Sequence, residues 1–399
     1  MAAHDIYAEL GIGRRINAAG TLTRLGGALM APEVVEAMAQ AARRSVDIAE
    51  LQAAASTRIA MATGVQAGLV TSGAAAALTL AAAACMTRWD VQRMTALPHA
   101  ETFPHQILLH RSQRTGYSRA FEAAGACLVD FGHNDRTTGA GVRGIEPWEI
   151  EAAITENTAA LAFSATPDNG ADLALAARIC RERGVPVIVD AAAQLPPKAN
   201  LRRFGELGAD LVAFSGGKAI GGPQASGILA GRADLVGAAL VQQIDMDVTP
   251  ETWEPPGLID RAAMGGVPHH GIGRGFKVGK EEIVGLLVAL ERFCAADDGT
   301  GNAALGERLR AIAEAIHDCP GVAARLKPVA ETGRVPVLEL SLNGDALAFS
   351  RELARGDPPI HLSERHAARG LLLIDPQALQ PDDDALIVAA IREISRKNL

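Results

Sequence analysis

The sequence predicts an α/β protein, with a seven-stranded, mostly parallel sheet followed by a smaller α+β domain towards the C-terminus. Three observations carry that reading. Seven short apolar runs, GLVTS, ILLH, CLVDFG, AALAFS, PVIVDA, LVAFSG and GILAGR, fall between residues 68 and 232, and each has the length of a strand. Helix-like stretches separate several of them, as ADLALAARICRERG does before PVIVDA, and this alternation favours parallel pairing. The runs are almost continuously apolar, which fits strands buried on both faces of a sheet.

Taken in chain order, MAAHDIYAELGIGRRINAAG carries acids and has no apolar signal core. The stretch GAAAALTLAAAACM (73–86) is mostly alanine and shorter than a bilayer span, so it reads as a buried helix. Beyond Gly275, KVGKEEIVGLLVALERF places Ile283, Leu286, Leu287 and Leu290 at helical spacing and predicts a connecting helix. A helical stretch over 303–317, strand-like VPVLELSL and GLLLIDP, and a closing helix PDDDALIVAAIREISRK complete the small domain. The closing helix opens with aspartates, which suit a helix N-terminus. The expected division is an N-terminal segment over 1–50, a large ligand-binding domain over 51–270, and the connecting helix with the small C-terminal domain over 271–399.

A chain of 399 residues is long enough for a large core. Its formal net charge of −8 argues against nucleic-acid or anionic-membrane partners, which need clustered basic surface. The cysteines Cys85, Cys127, Cys180, Cys294 and Cys319 are odd in number and contain no C-x-x-C pair, so free thiols and a cytoplasmic location are expected.

The chemistry concentrates in DLVAFSGGKAIGGPQASG (210–227). Leu211 to Phe214 form a strand-length run and Ser215-Gly216-Gly217 a turn, so Lys218 leaves a strand end on a tight loop. Glycines on both sides suggest a backbone that passes close to a flat or anionic ligand. In the preceding strand, Val187, Ile188 and Val189 end in Asp190, at the carboxyl end where open α/β sheets bind ligands. Earlier, GLVTSGAAAALTL reads as strand, turn and helix, and the helix start behind Thr71, Ser72 and Gly73 suits a phosphate, with the two hydroxyls as further donors. A lysine for a Schiff base, a carboxylate for a pyridinium nitrogen and a phosphate-holding helix start are together the parts that pyridoxal phosphate needs.

On INAAGTLTRLGG (16–27), LVTSGAAAAL (69–78), PVIVDAAAQLPP (186–197), DLVAFSGGKAIGGPQASGIL (210–229) and IGRGFKVGKEEI (272–283), the chain resembles the selenocysteine synthase-like branch of fold-type I pyridoxal phosphate enzymes. Within that branch it is most similar to the D-glucosaminate-6-phosphate ammonia-lyase type. The resemblance implies that Lys218 carries the cofactor, that Asp190 pairs with its ring nitrogen, and that Thr71, Ser72, Gly73 and Ser215 lie near its phosphate. It also implies that the turn holding Gly222 and Gln224 reaches a partner subunit's cofactor, hence a homodimer or a multiple of dimers. Selenocysteine synthases carry an additional N-terminal region for their tRNA, whereas here the shared core begins by Ile16, so a tRNA substrate is not expected.

Several further residues are candidates. His110, at the end of ILLH, could cover the cofactor ring or be a histidine satisfied at a strand end. Arg274 and Lys277 could bind a substrate carboxylate or phosphate. Asn17, Thr21 and Arg24 lie in the segment that folds over the active site in enzymes that this chain resembles, and Arg365 and Arg369 are further choices for a carboxylate. No metal is expected: His269-His270 lacks an acid or cysteine spaced to complete a site. GIGRG (271–275) lacks the third glycine of a dinucleotide fingerprint.

The expected activity is loss of water and then ammonia from a small-molecule 2-amino-3-hydroxy acid, sugar-acid-like as D-glucosaminate 6-phosphate is, giving a 2-keto-3-deoxy acid. Racemisation, aldol cleavage and β-replacement related to selenocysteine synthesis begin with similar chemistry. A catalytically inert regulatory protein on the same fold is opposed by the presence of both Lys218 and Asp190.

Overall fold

The computed structural model describes residues 5–134 and 144–397. The chain divides into two compact units, Met30–Ala295 and, from both ends of the chain, Met1–Leu29 with Ala296–Leu399. Its strands are β1 (Ile16–Ala18), β2 (Ala67–Thr71), β3 (Gln106–His110), β4 (Cys127–Phe131), β5 (Thr158–Ser164), β6 (Val187–Asp190), β7 (Leu211–Ser215), β8 (Gly227–Gly231), β9 (Val322–Lys327), β10 (Val337–Leu342), β11 (Ile360–Leu362) and β12 (Leu371–Ile374).

The larger unit is built on a seven-stranded sheet in the order β2-β8-β7-β6-β5-β3-β4. The seven apolar runs of the sequence are these seven strands. Pairing is parallel from β7 through β6, β5 and β3 to β4. It is antiparallel on both sides of β8, because β7 returns to β8 through a loop instead of a crossover helix. Successive residues face opposite layers. Ile188 packs with the helices Ala74–Thr87 and Ala233–Gln243, while Val187 and Val189 pack with Ile59, Leu173, Leu201, Ile283 and Leu286. Burial on both faces is why no alternation is visible in the strand sequences.

The alanine-rich run forms the helix Ala74–Thr87, buried from Ala77 onward. Among the described residues, no helix is long and apolar enough to cross a membrane. Small side chains let this helix lie close to the sheet, and its Thr79 and Thr87 hydroxyls donate back to the carbonyls of Ala75 and Ala83. All five cysteines are free. Burial pushes the Cys85 and Cys180 thiols up to about 12, which leaves both unreactive near neutral pH.

The unit boundaries fall at 29/30 and 295/296, whereas the sequence reading places them at 50/51 and 270/271. The helices Pro32–Ala42 and Ile48–Thr63 join the larger unit, where Val34 and Ile59 share a core with Ile283, Leu286 and Leu290 of the helix Lys280–Ala295. The connecting helix is thus part of the large unit's packing. In the smaller unit, β12-β10-β9 form an antiparallel sheet and β1 pairs in parallel with β11. The helices Asp298–Ala315, Ala346–Arg355 and Asp383–Lys397 share a core with these strands.

Candidate active site at the ends of β6 and β7

Parallel register sets Asp190 opposite Ala213 on the neighbouring strand. β7 ends at Ser215, and Lys218 follows on the loop. Asp190 Oδ1 accepts the Ala192 N–H at 3.0 Å. Burial raises the Asp190 carboxyl above its ordinary value, while the Ala192 amide and the Lys218 charge pull it down. A partly desolvated carboxylate beside one amine is a strong acceptor for a further N–H, and its Oδ2 holds no hydrogen bond among the described residues.

The loop between β7 and β8 explains the glycines around Lys218. Its two arms are stitched by Gly216 N–H to Ser226 O and Gly222 N–H to Gly216 O, both at 2.9 Å, and Gly221 N–H closes on Lys218 O at 2.9 Å. A Cβ at Gly217 would come within 2.5 Å of Gln224 Cα, and one at Gly216 would overlap the Ser226 hydroxyl. The absent side chains make room for the returning arm of the loop itself. Gly222 is buried against Gly216 and Leu286, while Gln224 is exposed.

At the edge of the same sheet, β2 runs into the helix Ala74–Thr87 through Ser72 and Gly73, and no side chain caps that helix. Thr71 Oγ1 donates to Gly73 O at 2.8 Å and Ser72 Oγ to Phe276 O at 2.8 Å. Both hydroxyl protons are therefore engaged, so the donors left for an anion are the first-turn backbone amides. The Ser215 hydroxyl holds no hydrogen-bond partner among the described residues. An amine, a carboxylate with an open oxygen, uncapped helix amides and a spare hydroxyl are a donor set that fits a phosphorylated pyridinium aldehyde.

The remaining expected residues divide between the two units. In the larger, His110 is 4% exposed. Its Nδ1 lies 2.7 Å from Ser112 Oγ, and its ring meets Phe131 edge-on at 5.4 Å. Arg274 donates to Asp245 Oδ2 at 2.8 Å, and Lys277 is exposed without a carboxylate partner among the described residues. In the smaller unit, Asn17 Nδ2 donates to Gly20 O at 2.8 Å and its Oδ1 accepts the Ala19 N–H at 3.1 Å, so this side chain shapes its own turn. Thr21 is half-buried, and Arg24, Arg365 and Arg369 are exposed.

One expectation about His269-His270 needs correcting. Acids do stand nearby: Asp245, Asp247 and His270 gather with their ligand atoms within 4.8 Å of one another, all exposed. The distance along the chain hid them. His270 Nδ1 accepts the Met246 N–H at 3.2 Å, which leaves the single proton of the neutral ring on Nε2, 3.3 Å from Asp247 Oδ1. With Arg274 on Asp245, the trio satisfies itself as a hydrogen-bonded cluster.

Two features were not found in the sequence. Ser164, in register with Asp190, has its N–H held by Gln113 Oε1 at 3.0 Å and its carbonyl by Asn169 Nδ2 at 2.9 Å, which stiffens the next strand end. In the smaller unit, burial lowers the Arg334 guanidinium, with Asp375 and Arg365 close by. The apolar run before Asp375 is the signal that could have pointed to this cluster.

Comparison with known proteins agrees with the geometry. The model of the DegT/DnrJ/EryC1/StrS aminotransferase family matches residues 141–229, the segment that carries Asp190 and Lys218. The chain is 30% identical to the D-glucosaminate-6-phosphate ammonia lyase of Salmonella typhimurium, over 98% of either chain. It is 32% identical to a 5'-C-glycyluridine monooxygenase-decarboxylase of a Streptomyces species, over 97% of this chain and 91% of that one. A solved structure of D-glucosaminate-6-phosphate ammonia-lyase matches it with a TM-score of 0.80 at 28% identity, across 99% of both chains. Fold and donor set thus define a fold-type I enzyme with pyridoxal 5'-phosphate as its cofactor. The chain belongs to the selenocysteine synthase-like family of these enzymes, and within it to the ammonia-lyase type.

Proposed function

We propose that the enzyme removes water and then ammonia from a 2-amino-3-hydroxy acid of sugar-acid type, giving a 2-keto-3-deoxy acid. The observation that carries elimination is the near full-length likeness to an ammonia lyase, joined to the closeness of Lys218 to Asp190, which it influences electrostatically from the loop after the neighbouring strand. Bound pyridoxal phosphate supplies an electron sink for negative charge developing at the substrate α-carbon. Lys218 Nζ would hold the cofactor and, when its amine is free, would take the substrate α-proton. The same ammonium can return a proton to the departing β-hydroxyl, so that water leaves and Nζ is again neutral. The Asp190 carboxylate would keep the proton on the cofactor's ring nitrogen. The freed enamine tautomerises to an imine, which water hydrolyses to keto acid and ammonia, so the net change is substrate to keto acid plus ammonia.

In this reading Thr71, Ser72, Gly73 and Ser215 surround the phosphate, with the helix amides as its donors. His110 covers the ring, and Arg274, Lys277, Asn17, Thr21, Arg24, Arg365 and Arg369 supply the substrate contacts. We also propose a homodimer or a multiple of dimers in the cytoplasm, with Gly222 and Gln224 turned to the partner's site; an active monomer in light scattering and assay would exclude it. Incubation with a panel of amino sugar acids and β-hydroxy amino acids, measuring ammonia and keto acid, tests the reaction. Ammonia should appear without a keto-acid acceptor, and dependence on 2-oxoglutarate would overturn the proposal. The monooxygenase-decarboxylase relative favours a second reading, oxidative decarboxylation of an amino acid. The same panel under nitrogen separates the two, because elimination continues without oxygen and releases no carbon dioxide.

A further inference from the structure

A cavity of ≈ 150 Å³ lies at the carboxyl ends of β3 and β5, where His110, Gln113, His133, Ser164, Thr166 and Asp172 belong to its lining. Ser164 stands opposite Asp190 in register, so the cavity adjoins the strand that carries the candidate cofactor carboxylate. Two polar side chains are held at its wall without being satisfied. Gln113 Oε1 accepts the Ser164 N–H at 3.0 Å, and turning this amide over would set an NH2 against that N–H. The Gln113 amide head therefore sits at a residue that itself lines the cavity. Its Nε2 donates to no described residue and remains open to solvent. Asp172, half-buried in the first turn of the helix Gly170–Glu182, has no hydrogen-bond or ion-pair partner among the described residues. Its carboxylate faces Gly144, another lining residue, where an added Cβ would stand 2.7 Å from Asp172 Oδ1.

The cavity thus offers a neutral donor and a charged acceptor. A carboxylate or phosphate, which only accepts, would meet the Asp172 charge, and an ammonium, which only donates, would meet the Gln113 NH2. A hydroxyl does both. Thr166 Oγ1 gives its proton to Asp168 Oδ1 at 2.7 Å and keeps lone pairs for a second hydroxyl. His133 adds a ring without a partner among the described residues. No lysine or arginine stands among the described residues of the lining, and the space is that of about five waters. We propose that this cavity is a subsite for a short, neutral polyhydroxylated chain, with Asp172 as the acceptor and Gln113 Nε2 as the donor. Only the identification of that chain as the substrate's own hydroxylated tail rests on the proposed elimination.

Calorimetric titration of the holoprotein with erythritol, an uncharged polyol, tests the subsite. Asp172→Leu removes the charged acceptor at similar size and should weaken binding by about tenfold or more. If this variant does not fold, as judged by its melting temperature and cofactor absorbance, Asp172→Asn carries the same test. An aspartate that served only its helix start would change the melting temperature and leave erythritol affinity where it was. Inorganic phosphate should not displace erythritol, since in the holoprotein the cofactor already fills its own phosphate site. Equal affinity in wild type and variant overturns the subsite, as does failure of erythritol to bind the wild type or its displacement by phosphate. The link to the substrate is read from turnover: kcat/KM for D-glucosaminate relative to serine should fall by about tenfold or more in the same variant. An unchanged ratio overturns the assignment to the substrate's tail. If neither amino acid is turned over by the wild type, the elimination fails and the calorimetric result stands.

Discussion

Asp190 in the larger unit and Asp375 in the smaller one both close an apolar strand, after VIV and LLLI respectively. Each accepts an N–H from two residues further on, Ala192 and Gln377, at 3.0 Å. Burial raises both carboxyls, and in both cases the amide and nearby cations pull the other way. What differs is the cation. Asp190 faces Lys218, an amine that can lose its proton and act as a nucleophile. Asp375 faces Arg334 and Arg365, guanidiniums that stay charged and serve binding or support. A strand-end aspartate is thus only a local device, and the neighbouring element decides whether chemistry is built on it.

The contrast can be broken most directly at Lys218. Lys218→Ala should lower turnover by about 10²- to 10⁴-fold, the usual contribution of a positioned acid–base group, and abolish the borohydride-fixed cofactor adduct in peptide mapping. An adduct on another lysine would refute the assignment. Asp190→Asn should keep the cofactor yet lose turnover on the order of 10²-fold, because a neutral amide cannot hold the ring nitrogen protonated. Near-normal activity there would mean that another group pairs with the nitrogen. Asp375→Asn should leave cofactor absorbance intact and, because burial raises this carboxyl above its ordinary 3.8 despite Arg334 and Arg365, should shift the melting temperature slightly upward at pH 7, with the gain fading as the pH falls towards 3.8. If bleaching of the cofactor followed that change, the division of roles drawn here would fail.

The smallest effect concerns pH. Because burial raises Asp190, the folded apoprotein pays for ionising it at any pH above the unfolded value of 3.8, and most fully above the raised native value. Apo Asp190→Asn should therefore melt slightly higher than apo wild type at pH 7, and the gap should close as the pH falls towards 3.8. Adding cofactor should reverse the order. An apo gap that widens on acidification would mean that the carboxylate stabilises the empty fold.

The sheet was legible because continuous burial writes itself as unbroken apolar runs, and the strand-end positions of Asp190 and Lys218 followed from it. Other parts were not. β9, VAARLK, carries charges on a half-exposed sheet, and β1 and β11 are three residues each, too short to show a period. The hydroxyls of Thr71 and Ser72 read as phosphate donors until the carbonyls they bind are known. The Asp245–Asp247–His270 group is joined only by folding. Nothing in the sequence sets Asp172 apart from any acid in a first helical turn.

Gln52 Oε1 accepts the Val70 N–H at 3.0 Å and its Nε2 donates to Val70 O at 2.8 Å, and this pairing has a consequence for how the protein behaves among its own kind. β2 is the outermost strand on its side of the sheet, and Val70 turns its N–H and C=O outward to the Gln52 amide, while Gly68 N–H goes to Ser56 Oγ at 3.0 Å. A side-chain amide here imitates one residue of an additional strand. It occupies the backbone groups through which a foreign strand would otherwise extend the sheet. Two polar residues of one helix thereby act as a guard against aggregation, at a margin where neither charge nor proline is available to do so.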